Sequence, residues 1–349
     1  MTRPIVAIDP VDTPFNSFVE RFSRAIAAAG GDPVPMGWSL GELLRTDMVI
    51  LHWPTLFMSL TSRKKAFAQL LRFRIARLMR GTRLVWVAHN VAPHEDGARH
   101  EIVPDAFVRS LDAIVYLSET SRRLVEQRYP AAKGRAAVVT RHGIYEGGSD
   151  SRPFTPPAHD EEVRLLNFGQ VRPYKNIEEL IDAAAGLSQE RLLTTIIGKQ
   201  LDSDYADALA ARATGVASVD CRFGADFLEE SDIERALDTA HGAVLPYRAI
   251  LNSGSAIHAL SRHRPVLVPA LGSMPELARL VGHDWVQLYD GRLTPERLAA
   301  FARHVRRLPA GATPDLSALS WRRVERDLAQ LFASSAADRS TRRMAERTA

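Results

Sequence analysis

One cysteine, Cys221, is all that 349 residues contain. That count excludes an intramolecular disulfide framework and a cysteine-rich zinc site, and it fits a reducing compartment. No run of about 18 apolar residues occurs, so no membrane-spanning helix is expected. No signal peptide is expected either, because Arg3 and Pro4 lead straight into a strand pattern. That strand is not followed by a G-x-G-x-x-G turn, which weakens a nicotinamide-dinucleotide reading. Internal repeats and low-complexity core segments are also missing.

What remains is ordinary for a soluble α/β chain: 46% apolar and 25% charged residues. The length suits two domains of roughly 150 residues better than one core. A shift to Gly, Ser, Pro and acids marks a linker at 147–162. The expected parts are therefore a domain at 1–146, the linker, a domain at 163–315, a C-terminal helix at 316–333 and a disordered tail at 334–349.

The net charge of +4 hides an uneven distribution, because Arg63 to Arg83 holds eight Lys/Arg and no acid. Phe67, Leu71, Ile75 and Leu78 form an apolar stripe at helical spacing there, with Arg74 inside its arc. Such a helix can pack on its own sheet with a basic outer face. It can instead lie on an anionic bilayer through Arg63, Lys64, Lys65, Arg72, Arg77 and Arg80, each cation near such lipid contributing about 1 kcal/mol. A nucleic-acid patch would look similar. No interleaved aromatic platform accompanies this one, and no nucleic-acid partner is expected.

Strand patterns occur at Pro4–Asp9, Asp47–His52, Thr82–Ala88, Asp112–Leu117 and Val138–Val139, alternating with helices. In an open parallel sheet, ligands collect at the carboxyl ends of strands. Asp9, Asp12 and Asn16 follow the first strand, and His89, His94 and Glu95 follow the third. Each can also be a turn or capping residue, as Ser118 can before its helix. His89 and His94 have no third ligand at useful spacing, so no metal is expected.

The richest stretch lies in the second half. Val163 to Phe168 reads as a buried strand that Gly169 ends; Arg172 and Lys175 follow, and Asn176 can cap a helix over 177–187. Strand, glycine turn and helix start together aim backbone N–H groups and a helix dipole at one spot. Two cations beside it suggest a diphosphate. The plainer alternative is a surface loop with two solvated cations. Ser253, Gly254 and Ser255 open a second such helix, which could equally be a simple serine cap. Ser231 reads as a cap for a helix to Ala240, and Leu316 onward as the approach to a helix from Trp321.

Gly169 to Lys175 resembles the Gly-x-x-x-x-x-Lys turn of GT-B nucleotide-sugar glycosyltransferases, built from two Rossmann-like domains with a cleft between them. The resemblance implies that Lys175 holds the donor diphosphate. It implies the same for Arg172, although many members carry that Arg straight after the Gly, where Gln170 stands here. Asn176 replaces a usual Gly. Pro10 to Phe18, His52-Trp53-Pro54 and His89 to Glu95 further resemble the β-mannosyltransferases of xanthan-type exopolysaccharide assembly. Those use GDP-mannose and a polyprenyl-diphosphate-linked oligosaccharide at the inner membrane face. Retaining GT-B enzymes carry two Glu eight residues apart; Ile250 and His258 occupy those positions here, which leaves room for inversion.

On that footing Arg172, Lys175, Ser253, Gly254 and Ser255 are expected to bind the donor diphosphate, and Glu276 its ribose. No cofactor or metal is then required. Glu95, Asp12 or His89 would act as base on the acceptor hydroxyl, with Asp9, Asn16 and His94 against the acceptor. Two other classes share these features. One is a non-catalytic subunit that binds a nucleotide sugar or phosphate; the other is a nucleic-acid-binding protein using the basic helix.

Overall fold

The structure is a computed structural model describing residues 3–11, 16–58, 62–91, 102–145, 152–187, 190–226 and 228–333. The chain divides into two compact units: Met1–Gly143 with Leu319–Ala349, and Ile144–Ala318. Each is a six-stranded sheet in which every pairing is parallel.

In the first unit the strands are β1 (Ile5–Asp9), β2 (Asp32–Pro35), β3 (Met48–Leu51), β4 (Arg83–Ala88), β5 (Ala113–Tyr116) and β6 (Ala136–Val139), in the order β2-β1-β3-β4-β5-β6. The second holds β7 (Val163–Phe168), β8 (Leu192–Lys199), β9 (Val219–Gly224), β10 (Gly242–Val244), β11 (Val266–Pro269) and β12 (Val286–Tyr289), in the order β12-β11-β10-β7-β8-β9. Strands such as Met48-Val-Ile-Leu51 and Val266-Leu-Val-Pro269 are buried along their whole length. Helices cover both faces of a parallel sheet, so its central strands are near-continuous apolar runs, while edge strands such as β6 and β9 stay partly exposed.

Register brings strand ends together. Asp9 pairs with Leu51, and Leu51 with Trp86, so β1, β3 and β4 release their next residues at one edge. The helix α1 (Ser17–Ala28) covers that sheet with Phe18, Val19, Phe22 and Ile26 buried. Residues 321–333 are helical and cluster with this unit. Their Trp321 lies where a Cβ on Gly143 would come within 2.3 Å of its ring, so glycine is required there.

Several elements differ from the sequence reading. The strand β2, the helices Ile102–Ser110, Met274–Val281 and Pro295–Arg307, and β12 have no counterpart in it. Glu229, not Ser231, is the N-cap of the helix Glu230–Thr239. Asn176 does not cap through its side chain; it sits at φ 56°, in left-handed backbone. Gly takes that conformation readily and Asn or Asp at some cost, so an Asn is compatible with the backbone here.

The basic helix α2 (Arg63–Arg80) forms, capped by Ser62 and ended by Gly81 at φ 79°. Its buried face is Ala66, Gln69, Phe73 and Ala76. Of the apolar stripe, Ile75 is half-buried, whereas Phe67 is 43% exposed, Leu71 58% and Leu78 77%, with neighbouring Met79 at 70%. Small alanines let the helix pack closely with Phe73 as its one large anchor in the core, so the bulkier residues are left on the surface.

Candidate active site

In the second unit β7 ends at Phe168, and Gly169 turns the chain at φ 106°. A Cβ there would lie 2.6 Å from Lys175 Nζ and 3.9 Å from Ser255 Oγ, so the backbone, the ammonium and the hydroxyl converge. Gly198 on neighbouring β8 must also be glycine, since a Cβ would come within 2.0 Å of the Gly169 carbonyl oxygen. The turn Pro173–Lys175 then swings the lysine back under the strand end.

Lys175 is 5% exposed, and its Nζ donates to the Phe168 carbonyl at 3.0 Å. An ammonium has three N–H donors. Among the described residues that carbonyl is its one hydrogen-bond acceptor. Burial pulls its pKa down to about 8, because a charge removed from water without a counter-charge is disfavoured. The arrangement is unfavourable as it stands and would be relieved by an anion.

The second helix start adjoins it. Ser253 caps the helix Gly254–Ser261, its Oγ accepting from Ala256 N–H at 3.1 Å. The Tyr247 hydroxyl lies 2.8 Å from the same Oγ and fixes the cap from behind. Arg172 is half-buried at the head of the lysine turn, its carbonyl accepting the Lys175 N–H at 3.0 Å. Glu276 is buried in the first turn of the helix Met274–Val281. The turn before that helix presses on the loop leading to Ser253: Ser273 N–H donates to Leu251 O at 2.9 Å. Gly272, at φ 52°, is so close that a Cβ would sit 2.1 Å from the Ile250 carbonyl oxygen. Both helix starts are therefore held by one loop.

The first unit gathers side chains at the shared strand edge. Asp9 ends β1 half-buried, and burial raises its pKa. His52 follows β3 and is fully buried; its Nδ1 lies 2.9 Å from Nε2 of His89, which follows β4. Phe18 touches His52, His89, His142 and Trp321, with ring centroids 4.4 to 6.0 Å apart. Burial lowers the pKa of His52 to about 3 and of His142 to about 4, and pulls His89 well below its usual value.

No family model matches the chain. It is 31% identical over 299 residues to the GDP-mannose:glycolipid 4-β-D-mannosyltransferase of Xanthomonas campestris pv. campestris, covering 83% of this chain and 81% of that protein. The chain belongs to that glycosyltransferase family. Solved structures agree on the fold. Anabaena HepE in complex with UDP superposes with a TM-score of 0.66 at 14% identity, over 95% of this chain and 100% of that one. A sucrose-phosphate synthase from Thermosynechococcus elongatus gives 0.59 at 14% identity, over 99% and 100%. The fold is GT-B, as the turn at Gly169 led one to expect.

Placed on this glycosyltransferase, the expected site residues separate. Lys175 and Ser255 meet at Gly169, and Ser253 and Gly254 form the helix start of which Ser255 is part. Asn16 caps α1, its side chain accepting from Phe18 N–H at 3.2 Å. Asp12, His94 and Glu95 lie outside the described residues. Of the cations expected on the outer face of α2, Arg77 instead bonds Asp112 at 2.6 Å and the Ser110 carbonyl, and so is committed to its own fold. Arg63, Lys64, Lys65, Arg72 and Arg80 are exposed.

Sequence reasoning misses three things. Gly198 reads only as a strand end, although its contact with Gly169 is legible solely in the parallel register. His52 reads as part of a motif without a role. Glu230, Glu234 and His258 bring one ligand atom each within 4.8 Å of one another, the one group among the described residues able to offer a metal three ligands. Glu234 also lies 3.8 Å from buried Arg262, and the His258 ring stacks on Tyr145 at 4.2 Å.

Proposed function

We propose that this glycosyltransferase moves mannose from GDP-mannose, with inversion, to a hydroxyl of a polyprenyl-diphosphate-linked oligosaccharide, forming a β-linkage. The observation carrying this reading is buried Lys175, an ammonium with N–H groups to spare beside Gly169 and Ser255. A leaving diphosphate is the ligand that such a pocket suits. As the sugar–oxygen bond breaks, negative charge grows on the diphosphate, and the ammonium, the Arg172 guanidinium and the N–H groups at Ser253–Ser255 offset it. Glu276 would hold the ribose. These groups take the place a metal would fill, so the reaction is metal-independent. The name of the Xanthomonas campestris relative supports the choice of donor and of a glycolipid acceptor.

Inversion is supported by the residues at the retaining positions, Ile250 and the stacked His258, neither of which is a carboxylate. An inverting transfer needs a base on the acceptor hydroxyl; the candidates in the first unit are Glu95, Asp12 and His89, of which His89 lies among the described residues, with Asp9, Asn16 and His94 as acceptor contacts. Attachment to the inner face of the cell membrane is part of the same reading, and α2 supports contact with a membrane. Phe67, Leu71, Leu78 and Met79 are exposed among Arg63, Lys64, Lys65, Arg72 and Arg80, the mixture an anionic bilayer surface takes up. The short motifs shared with xanthan-type enzymes support a role in exopolysaccharide assembly.

The test is transfer from GDP-mannose to a polyprenyl-diphosphate oligosaccharide, with the anomer of the product read by NMR. A β-linked product formed equally well in EDTA is expected. An α-linked product, or activity abolished by EDTA, would reject inversion or metal independence respectively.

A further inference from the structure

We propose that His52 is a positioning residue for His89: its Nδ1 accepts the His89 Nε2–H, fixing the tautomer whose basic nitrogen, toward the acceptor hydroxyl, is His89 Nδ1. This inference rests on the transferase reading above and adds to it a residue which that reading does not use.

The two nitrogens lie 2.9 Å apart, so one proton sits on the line between them. The rings have little freedom to rearrange. Trp53 stacks on His89 at 4.6 Å with planes 25° apart. Phe18 meets His89 edge-to-face at 5.1 Å, and Phe22 meets His52 in the same way at 5.0 Å. Which nitrogen carries the proton is then a question of what the other end of His52 faces. Its Nε2 is buried with no hydrogen-bond partner among the described residues. The His52 ring stands nearly perpendicular to those of Phe18 and Phe22, with centroids 6.0 and 5.0 Å away, and aromatic faces are electron-rich. An N–H is better accommodated among such faces than a lone pair. That places the His52 proton on Nε2, leaves Nδ1 as acceptor and requires His89 to donate through Nε2.

The consequence is chemical. In the transfer, the acceptor oxygen forms a bond to the anomeric carbon while the bond from that carbon to the diphosphate breaks, its electron pair leaving on the diphosphate. The hydroxyl proton moves to His89 Nδ1 and later to water. The imidazolium formed keeps its Nε2–H on His52 Nδ1, so His52 both aims the ring and receives part of the developing charge. Burial disfavours the charged form of both imidazoles beforehand, which favours His89 as a proton acceptor.

The test labels histidine with 15N in the full chain and reads the tautomers by NMR. GDP release from GDP-mannose, with water as acceptor, is followed in parallel. His89 is expected as the Nε2–H tautomer in the wild type. His52→Phe keeps the ring packing but removes the acceptor; it should mix the His89 tautomers and lower kcat about tenfold, with KM for GDP-mannose unchanged. His52→Asn puts an amide oxygen near the Nδ1 position and should return kcat to within about threefold of wild type, whereas His89→Gln should lose about 100-fold. A wild-type His89 protonated on Nδ1 overturns the proposal even if no variant folds, and so does wild-type kcat in His52→Phe. No GDP release by a wild type that shows the expected tautomer would instead reject the transferase reading and leave the hydrogen bond standing.

Discussion

Lys175 illustrates how a single side chain can work against the fold and for the ligand. Its folded pKa, about 8, lies below the ordinary 10.5. Between those values the unfolded chain holds more protons than the folded one, so stability rises with pH across that window. The rise should amount to about 3 kcal/mol. Lys175→Met should abolish it, which urea unfolding at pH 7.5 and 10.5 would measure; an identical rise in the variant would contradict the assignment. Diphosphate binding has the opposite dependence, because it needs the protonated amine. Donor affinity should hold below about pH 8 and fall above it. The placement of this lysine beside the glycine turn was legible in sequence because its spacing is local. That of His52 was not, because its partner is 37 residues away and meets it only through the register of β3 and β4.

At the level of elements, two devices set the site. The first is the loop before Ser253, pinned by the turn at Gly272. Gly272→Ala would put a methyl against the Ile250 carbonyl in left-handed backbone. Strain of this kind costs of order 1–3 kcal/mol. Lower stability in urea, with a raised KM for GDP-mannose, is expected; an unchanged KM would show that the loop does not set the helix starts. The second is α2. Its existence was legible from the helical spacing, whereas the side its apolar stripe takes, toward the sheet or outward, was left open. Periodicity ranks bulky residues as core, and here close packing of Ala66 and Ala76 decided otherwise. Leu71→Asp with Leu78→Asp should weaken binding to anionic vesicles at least tenfold while GDP-mannose hydrolysis in solution is kept. Unchanged vesicle binding would remove α2 from the membrane account.

Across the whole molecule, the two-sheet architecture could be read because parallel strands buried on both faces leave continuous Val/Ile/Leu runs, as at Met48–Leu51 and Val266–Pro269. The pieces between were harder. The strand Asp32–Pro35 contains two prolines and sits at a sheet edge, where its sequence carries no strand signal. The helix over 321–333 groups with the first unit although it follows the second in sequence, through a Trp321–Gly143 contact that no local pattern announces. At this scale the central proposal is that the second unit binds the donor through its diphosphate. Calorimetric titration of GDP and of guanosine into wild type and Lys175→Met tests this most directly. GDP should bind the variant about 10- to 100-fold more weakly, roughly the 1.5–3 kcal/mol of a charged hydrogen bond, with guanosine binding both alike. Equal GDP affinity for the two proteins would contradict it.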